Sequence, residues 1–200
     1  MISRVATLLC AALFAPVLVF LAVPATPAEA ATTDLLVGDS VMAGMTASAR
    51  SSLPNHRFDA QVCRRVVSTS CSYQGNRPST ALNVIRANAG AIDRAIVVAA
   101  GYNDHTITSA IDQVMAEARR QGVPHVVWLT YRVAGSYPGE LRNHNANLWA
   151  KAAQYPDLTI ADWAGRSAGR GDWVAGDGLH LNSSGGRAMA QLINEALNSL

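Results

Sequence analysis

The chain has 200 residues, half of them hydrophobic, with 15% charged residues and a formal net charge of +2. That is apolar material for one core, so a single globular domain over 31–200 is expected, with no second domain and no linker. Lys and Arg are scattered apart from Arg64-Arg65 and Arg119-Arg120, which excludes the basic stripe of a nucleic-acid-binding protein.

Residues 1–30 read as a separate segment. Arg4 supplies a positive start, Val5 to Val23 is an uncharged apolar run broken by Pro16, and Ala28-Glu29-Ala30 sets small residues at a cleavage position. The pattern predicts a secretory signal peptide cut near Ala30, and therefore a secreted protein with no stable membrane association. The alternative is an uncleaved membrane anchor, because the run approaches the length of a bilayer span. Cys10 follows Leu8-Leu9 and does not read as a lipidation site. Removal of the segment leaves Cys63 and Cys71, for which an oxidising compartment favours a disulfide; two buried thiols are the other reading.

Asp34 to Val37 is the first predicted strand, and Ser40 opens a predicted helix to about Ser52, with Pro54 beyond its end. Phe58 to Val62 reads as a second strand, and Ser79-Thr80 as the cap of a helix ending near Ala89. Ala95 to Ala99 is a β-favouring run that stops at Gly101. After it Ile111, Val114, Met115 and Ala118 recur at helical spacing, with Gly122 as the stop and Pro124 just past it. Val126 to Leu129 is the fourth strand, Glu140 to Gln154 a helix, and Leu158 to Ala161 the fifth strand. Ser183 or Ser184 caps a last helix reaching Leu197.

Strands alternating with helices predict a parallel sheet covered on both faces. In such sheets ligands sit at the carboxyl ends of the strands, near the point where strand order reverses. The polar clusters all follow strands: Ser40 the first, Cys63 and Arg64 the second, Asn103 the third, Tyr131-Arg132 the fourth. Asp177 and His180 lie in the glycine-rich segment after the fifth, which can fold back over the same edge.

A serine hydroxyl becomes nucleophilic when a histidine takes its proton, and a carboxylate fixes the tautomer of that histidine. Ser40, Asp177 and His180 supply the three groups, and Asp177 and His180 can meet within one turn. Asn103 can donate a side-chain N–H to a developing oxyanion, as can the Ser40 backbone at a helix start. Each residue also has a plain structural reading. Ser40 can cap its helix, Asn103 can form a turn, Asp104 can cap a helix, and Asp177 and His180 can be loop polars like His105, His125 and His144.

Taken together, Leu36-Val37-Gly38-Asp39-Ser40, Gly101-Tyr102-Asn103-Asp104 and Asp177-Gly178-Leu179-His180 resemble the motif blocks of the SGNH or GDSL hydrolases. The resemblance covers nearly the whole of 31–200. It implies a three-layer α/β/α flavodoxin-like fold with a five-stranded parallel sheet and a serine esterase mechanism without metal or organic cofactor. It further implies Ser40 as nucleophile, Asp177 and His180 as its partners, Asp39 as a support of the nucleophile turn, and Asn103 with the Ser40 N–H in the oxyanion hole. The family's third donor is a glycine N–H, and the residue at the corresponding place is Cys63, which a disulfide to Cys71 would hold in position.

The small chain and a polar edge with Arg64, Tyr102, Tyr131 and Arg132 point to an open cleft that binds short acyl esters, acetyl esters of carbohydrate or cell-wall polymers in particular. Trp163 and Trp173 can stack on a sugar or serve the core. The expectation is a monomeric, secreted short-chain esterase acting through a Ser40 acyl-enzyme. Its alternatives are an acyltransferase to a sugar hydroxyl, a lipase or thioesterase, and a non-catalytic carbohydrate-binding protein.

Overall fold

The computed structural model describes residues 33–200; the segment read as a signal peptide or anchor lies outside the described residues. Five strands, β1 (Asp34–Gly38), β2 (His56–Ala60), β3 (Ala95–Ala99), β4 (His125–Leu129) and β5 (Leu158–Ala161), pair as one parallel sheet in the order β2-β1-β3-β4-β5. Every residue of β1 and β3 is buried, which is why these central strands read as continuous apolar runs instead of alternating ones. Asp34, the one acid in β1, is paired with Arg94.

Among the described residues seven α-helices pack around the sheet: α1 (Ser40–Ala43), α2 (Ala47–Arg50), α3 (Ala81–Ala87), α4 (Thr108–Gln121), α5 (Pro138–Ala152), α6 (Trp163–Arg166) and α7 (Ser183–Asn198). Ile85, Ile111, Val114 and Leu148 of α3, α4 and α5 pack with Leu35, Val37, Ile96 and Trp128 on one face. Met42, Ala49, Trp163 and Ile193 of α1, α2, α6 and α7 pack with Leu36, Val97 and Val127 on the other. The result is a three-layer α/β/α domain with flavodoxin-like strand order, which reverses between β1 and β3.

The departures from expectation concern helix ends. The helix predicted over 40–52 is two single turns, because Gly44 closes α1 and the Thr46 hydroxyl starts α2 by accepting from Ala49 N. Asp39 caps α1, its Oδ1 accepting from Val41 N at 3.0 Å, so Ser40 is the first helical residue and its hydroxyl is not used as a cap. Asn182, and neither of the two serines, caps α7 by accepting from Ser184 N and Gly185 N. β2 ends at Ala60, which releases Gln61 to Cys63 into a loop. Gly122 closes α4 in the left-handed conformation, φ +73°, where a side chain would be strained. Among the described residues no helix is long and apolar enough to cross a membrane.

Candidate active site

Asp39 fixes the turn between β1 and Ser40. Its Oδ2 accepts from Gly101 N at 3.1 Å and Tyr102 N at 3.0 Å, so one carboxylate ties the ends of β1 and β3 together at the point of strand reversal. Burial pushes this carboxyl up to about 6, against the pull of its backbone N–H partners and His180. Gly101 has φ +139°, and a Cβ there would collide with the buried Tyr131 hydroxyl. Only glycine meets both conditions.

His180 Nε2 lies 2.9 Å from Ser40 Oγ, and His180 Nδ1 lies 2.6 Å from Asp177 Oδ2. The second carboxylate oxygen of Asp177 accepts from Leu179 N at 2.9 Å and His180 N at 3.0 Å. The hydrogen bond from His180, followed by these backbone bonds, holds the Asp177 carboxyl down at about 2. An ionised carboxylate can only accept, so Nδ1 carries the proton and Nε2 is left to accept from the serine hydroxyl. Three-residue spacing suffices because the segment is a closed turn: Ala175 N donates to His180 O at 2.8 Å, and Val174 bridges Leu181. The turn stays at the surface, with the His180 and Asp177 side chains 44% and 49% exposed.

Opposite the turn, the loop after β2 is anchored to the nucleophile strand by Gln61 N donating to Gly38 O at 3.1 Å. Cys63 has φ +70°, the conformation that favours glycine, and it is disulfide-bonded to Cys71 with their Cα atoms 5.0 Å apart. Asn103 Nδ2 donates to Arg64 O at 3.0 Å, and Arg65 Nε donates to Asn103 O at 2.8 Å. An amide nitrogen has two hydrogens, so Asn103 spends one on holding itself beside Cys63 and Arg64 and keeps one. Among the described residues nothing accepts from the backbone N–H groups of Ser40 and Cys63.

Solved structures share this architecture. The C-terminal catalytic domain of Streptococcus pneumoniae peptidoglycan O-acetyltransferase A, solved with a methylsulfonyl adduct, superposes with a TM-score of 0.69 over 84% of this chain and 94% of that one, at 21% identity. A member of the lipolytic protein G-D-S-L family from Veillonella parvula superposes at 0.63 over 85% of this chain and all of that one, also at 21% identity. The fold is that of the SGNH hydrolases. In sequence the chain is 23% identical over 174 residues to the Listeria monocytogenes peptidoglycan O-acetyltransferase OatA, a match to 87% of this chain and 25% of that protein. The chain spans about a quarter of the length of the curated relatives it matches. No protein-family model matches it.

Within the SGNH fold, two residues expected on the substrate side belong to the frame. Arg64 is fully buried, donating to Ser79 O, Gly38 O, Asp59 O and the Asp59 carboxylate; its guanidinium ties the ends of β1 and β2 to the segment before α3. Tyr131 is also buried, with its hydroxyl donating to Ala100 O at 2.7 Å and accepting from Trp128 Nε1. Neither can touch a substrate. Arg132 donates to Gly178 O at 2.9 Å and to Ser167 O, so it clamps the turn between Asp177 and His180. Tyr102 accepts from Arg132 N at 2.8 Å and retains a face on a cleft of about 290 Å³ with Arg65, Asn103, Tyr137 and Glu140.

Sequence reading also missed Asp104 and His144. Asp104 is buried, accepts from Val66 N at 3.1 Å, and is pushed by burial up to about 7. His144 lies buried in α5 with Nε2 2.9 Å from Asp104 O, and burial lowers its pKa. It is therefore no loop polar. Both follow short motifs by pairings across 38 and 40 residues, for which a single sequence carries no signal. Trp163 is buried and stacks on Trp173 at 5.9 Å, so it serves the core.

Proposed function

We propose that this chain is an exported acyl-handling serine enzyme that takes an acetyl-sized group onto Ser40 and passes it to a hydroxyl of a carbohydrate polymer. The observation that carries the reading is the unbroken relay from Ser40 Oγ through His180 to Asp177, at 2.9 and 2.6 Å. Ser40 Oγ attacks the ester carbonyl carbon while His180 Nε2 takes its proton. The tetrahedral oxyanion faces the Ser40 and Cys63 N–H groups and the free Asn103 amide hydrogen. As the carbon–oxygen bond of the donor breaks, His180 returns the proton to the departing alkoxide, leaving acyl-serine.

An acceptor hydroxyl then attacks that acyl group, giving its proton to His180, and the ester of the acceptor leaves as Ser40 Oγ regains the proton. Asp177 stays ionised throughout and orients the imidazole. Water in place of the sugar hydroxyl gives hydrolysis, so the short-chain esterase expected from the sequence is the other branch of one intermediate. Transfer is preferred because sequence relatives are described as O-acetyltransferases, two of them of peptidoglycan. The exposed His180 and Asp177 side chains also suit a polymer that approaches from solvent, in place of a chain threaded into a tunnel.

The deciding experiment supplies p-nitrophenyl acetate with and without a soluble sugar acceptor such as chitotetraose, with the Ser40→Ala protein alongside. Acetylated sugar seen by mass spectrometry, absent with Ser40→Ala, supports transfer. Ser40-dependent release of acetate alone, unchanged by acceptor, assigns the protein as an esterase. Absence of any Ser40-dependent turnover sinks both.

A further inference from the structure

We propose that the loop between β2 and α3 builds a subsite for one uncharged sugar ring, on the Cys63 side of Ser40. A cleft of about 410 Å³ is lined there by Gln61, Val62, Tyr73, Gln74 and Asn76, with Ala43 on its wall. Ala43 stands three residues after Ser40 on α1, a spacing that puts two helical side chains on the same face. Val62 adjoins Cys63, the residue whose N–H we assign to the oxyanion. The cleft wall therefore runs to within one residue of Cys63 and one helical turn of Ser40.

The lining selects the ligand class. Tyr73 is 52% exposed and Val62 41% exposed, which gives a ring face and an apolar patch suited to the C–H face of a pyranose. Gln61, Gln74 and Asn76 are amides, each able to donate and accept at once, as sugar hydroxyl and acetamide groups require. No charged side chain lines the cleft, and the nearby Asp59 carboxylate is held by Arg64 at 2.8 Å. A phosphate would need a cation here, and a fatty chain would need enclosed apolar walls. An N-acetylated hexose needs neither.

The subsite is rigid before ligand arrives. Tyr73 and Asn76 exchange two backbone hydrogen bonds of 2.9 Å, and Gln74 and Gly75 both have positive φ, 49° and 78°, as in the two-residue turns that close hairpins. Cys71 N donates to Cys63 O at 3.2 Å beside the disulfide. One covalent link thus ties the sugar-facing hairpin to the oxyanion loop, so a ring seated on Tyr73 is placed at a set distance from Ser40.

The choice of a sugar rests on the acyl-transfer reading, and the test separates the two. Titration of the Ser40→Ala protein with chitotetraose, followed by amide NMR, is expected to shift the resonances of Ala43, Val62 and 73–76. Tyr73→Ala in the same background is expected to weaken binding about tenfold, and Tyr73→Phe to retain most of it. Val62→Glu should weaken chitotetraose, and an anionic tetragalacturonate should bind more poorly than the neutral oligomer. No shifts at about 10 mM ligand, shifts confined to other surfaces, or unchanged affinity in a well-dispersed Tyr73→Ala spectrum each overturn the subsite. If wild-type protein acetylates chitotetraose while Tyr73→Ala keeps its affinity, the subsite fails and the transfer reading stands. If binding needs Tyr73 but wild-type protein only hydrolyses, the subsite stands and transfer fails.

Discussion

Ser40 and Asp39 divide between them two jobs that a helix start often assigns to one residue. Because the Asp39 carboxylate caps α1 and also accepts from Gly101 N and Tyr102 N, the Ser40 hydroxyl is left to His180. Ser40→Ala should remove the acyl-enzyme altogether, as read by mass spectrometry after p-nitrophenyl acetate. Asn103→Ala should lower kcat about a hundred- to a thousandfold while the fold persists; an equally fast, folded variant would remove Asn103 from the oxyanion hole. Arg132 acts through the turn it clamps. Arg132→Lys cannot span both Gly178 O and Ser167 O with a single ammonium, so kcat should fall about tenfold or more from misplacement of His180, with KM little changed. A change confined to KM would return Arg132 to the substrate side.

The loop between β2 and α3 carries more of the site than any regular element does. Its disulfide closes a short loop, for which chain entropy gives only about 2.5 kcal/mol, and we propose that it also holds Cys63 at φ +70°, where a non-glycine residue is strained. Cys71→Ser should therefore cost about 2.5 kcal/mol of stability in urea and also lower turnover, because Cys63 is then free to relax. Adding Cys63→Gly to that variant should restore turnover without restoring stability, glycine being at ease in the left-handed region. If Cys71→Ser loses stability alone, the disulfide has no part in holding Cys63 for the oxyanion.

Across the whole domain, two buried acids make stability fall as pH rises toward neutrality, and buried His144, whose pKa burial lowers, opposes them in part. The carboxyls of Asp104 and Asp39 stand at about 7 and about 6 in the folded chain, above the ordinary 3.8. Between pH 4 and 7 the folded state then binds more protons than the unfolded one, so their effect is to make stability fall as pH rises through that window. Asp177 works in the opposite sense, adding stability above its ordinary value and losing it as pH falls toward 2; its exposure keeps that share small. Stability in urea should thus be higher at pH 5 than at pH 8, and Asp104→Asn, which can still accept from Val66 N, should shrink the difference by on the order of 1 kcal/mol. Equal stability at both pH values in the parent protein, together with no change in that difference in Asp104→Asn, would show the Asp104 carboxyl to be ionised without cost.

The alternation of apolar runs with helical spacing determined the five strands, their parallel pairing and two covered faces, since side-chain periodicity is a local property that burial reads directly. Asp177 and His180 were legible for the same reason: the carboxylate meets the ring within one turn. The functions of Arg64, Tyr131 and Arg132 were not, because a polar residue after a strand can face either solvent or the gap between strand ends. Only the assembled sheet decides which carbonyls lie beside it. The bonds that Asp39 accepts from Gly101 N and Tyr102 N and the one that Asp104 accepts from Val66 N depended likewise on bringing β1, β3 and the loop after β2 together, contacts between residues 38 to 63 apart in the chain. Hydrogen bonds over such separations leave no periodic trace in a single sequence, so the frame of this site emerges only when the sheet is assembled.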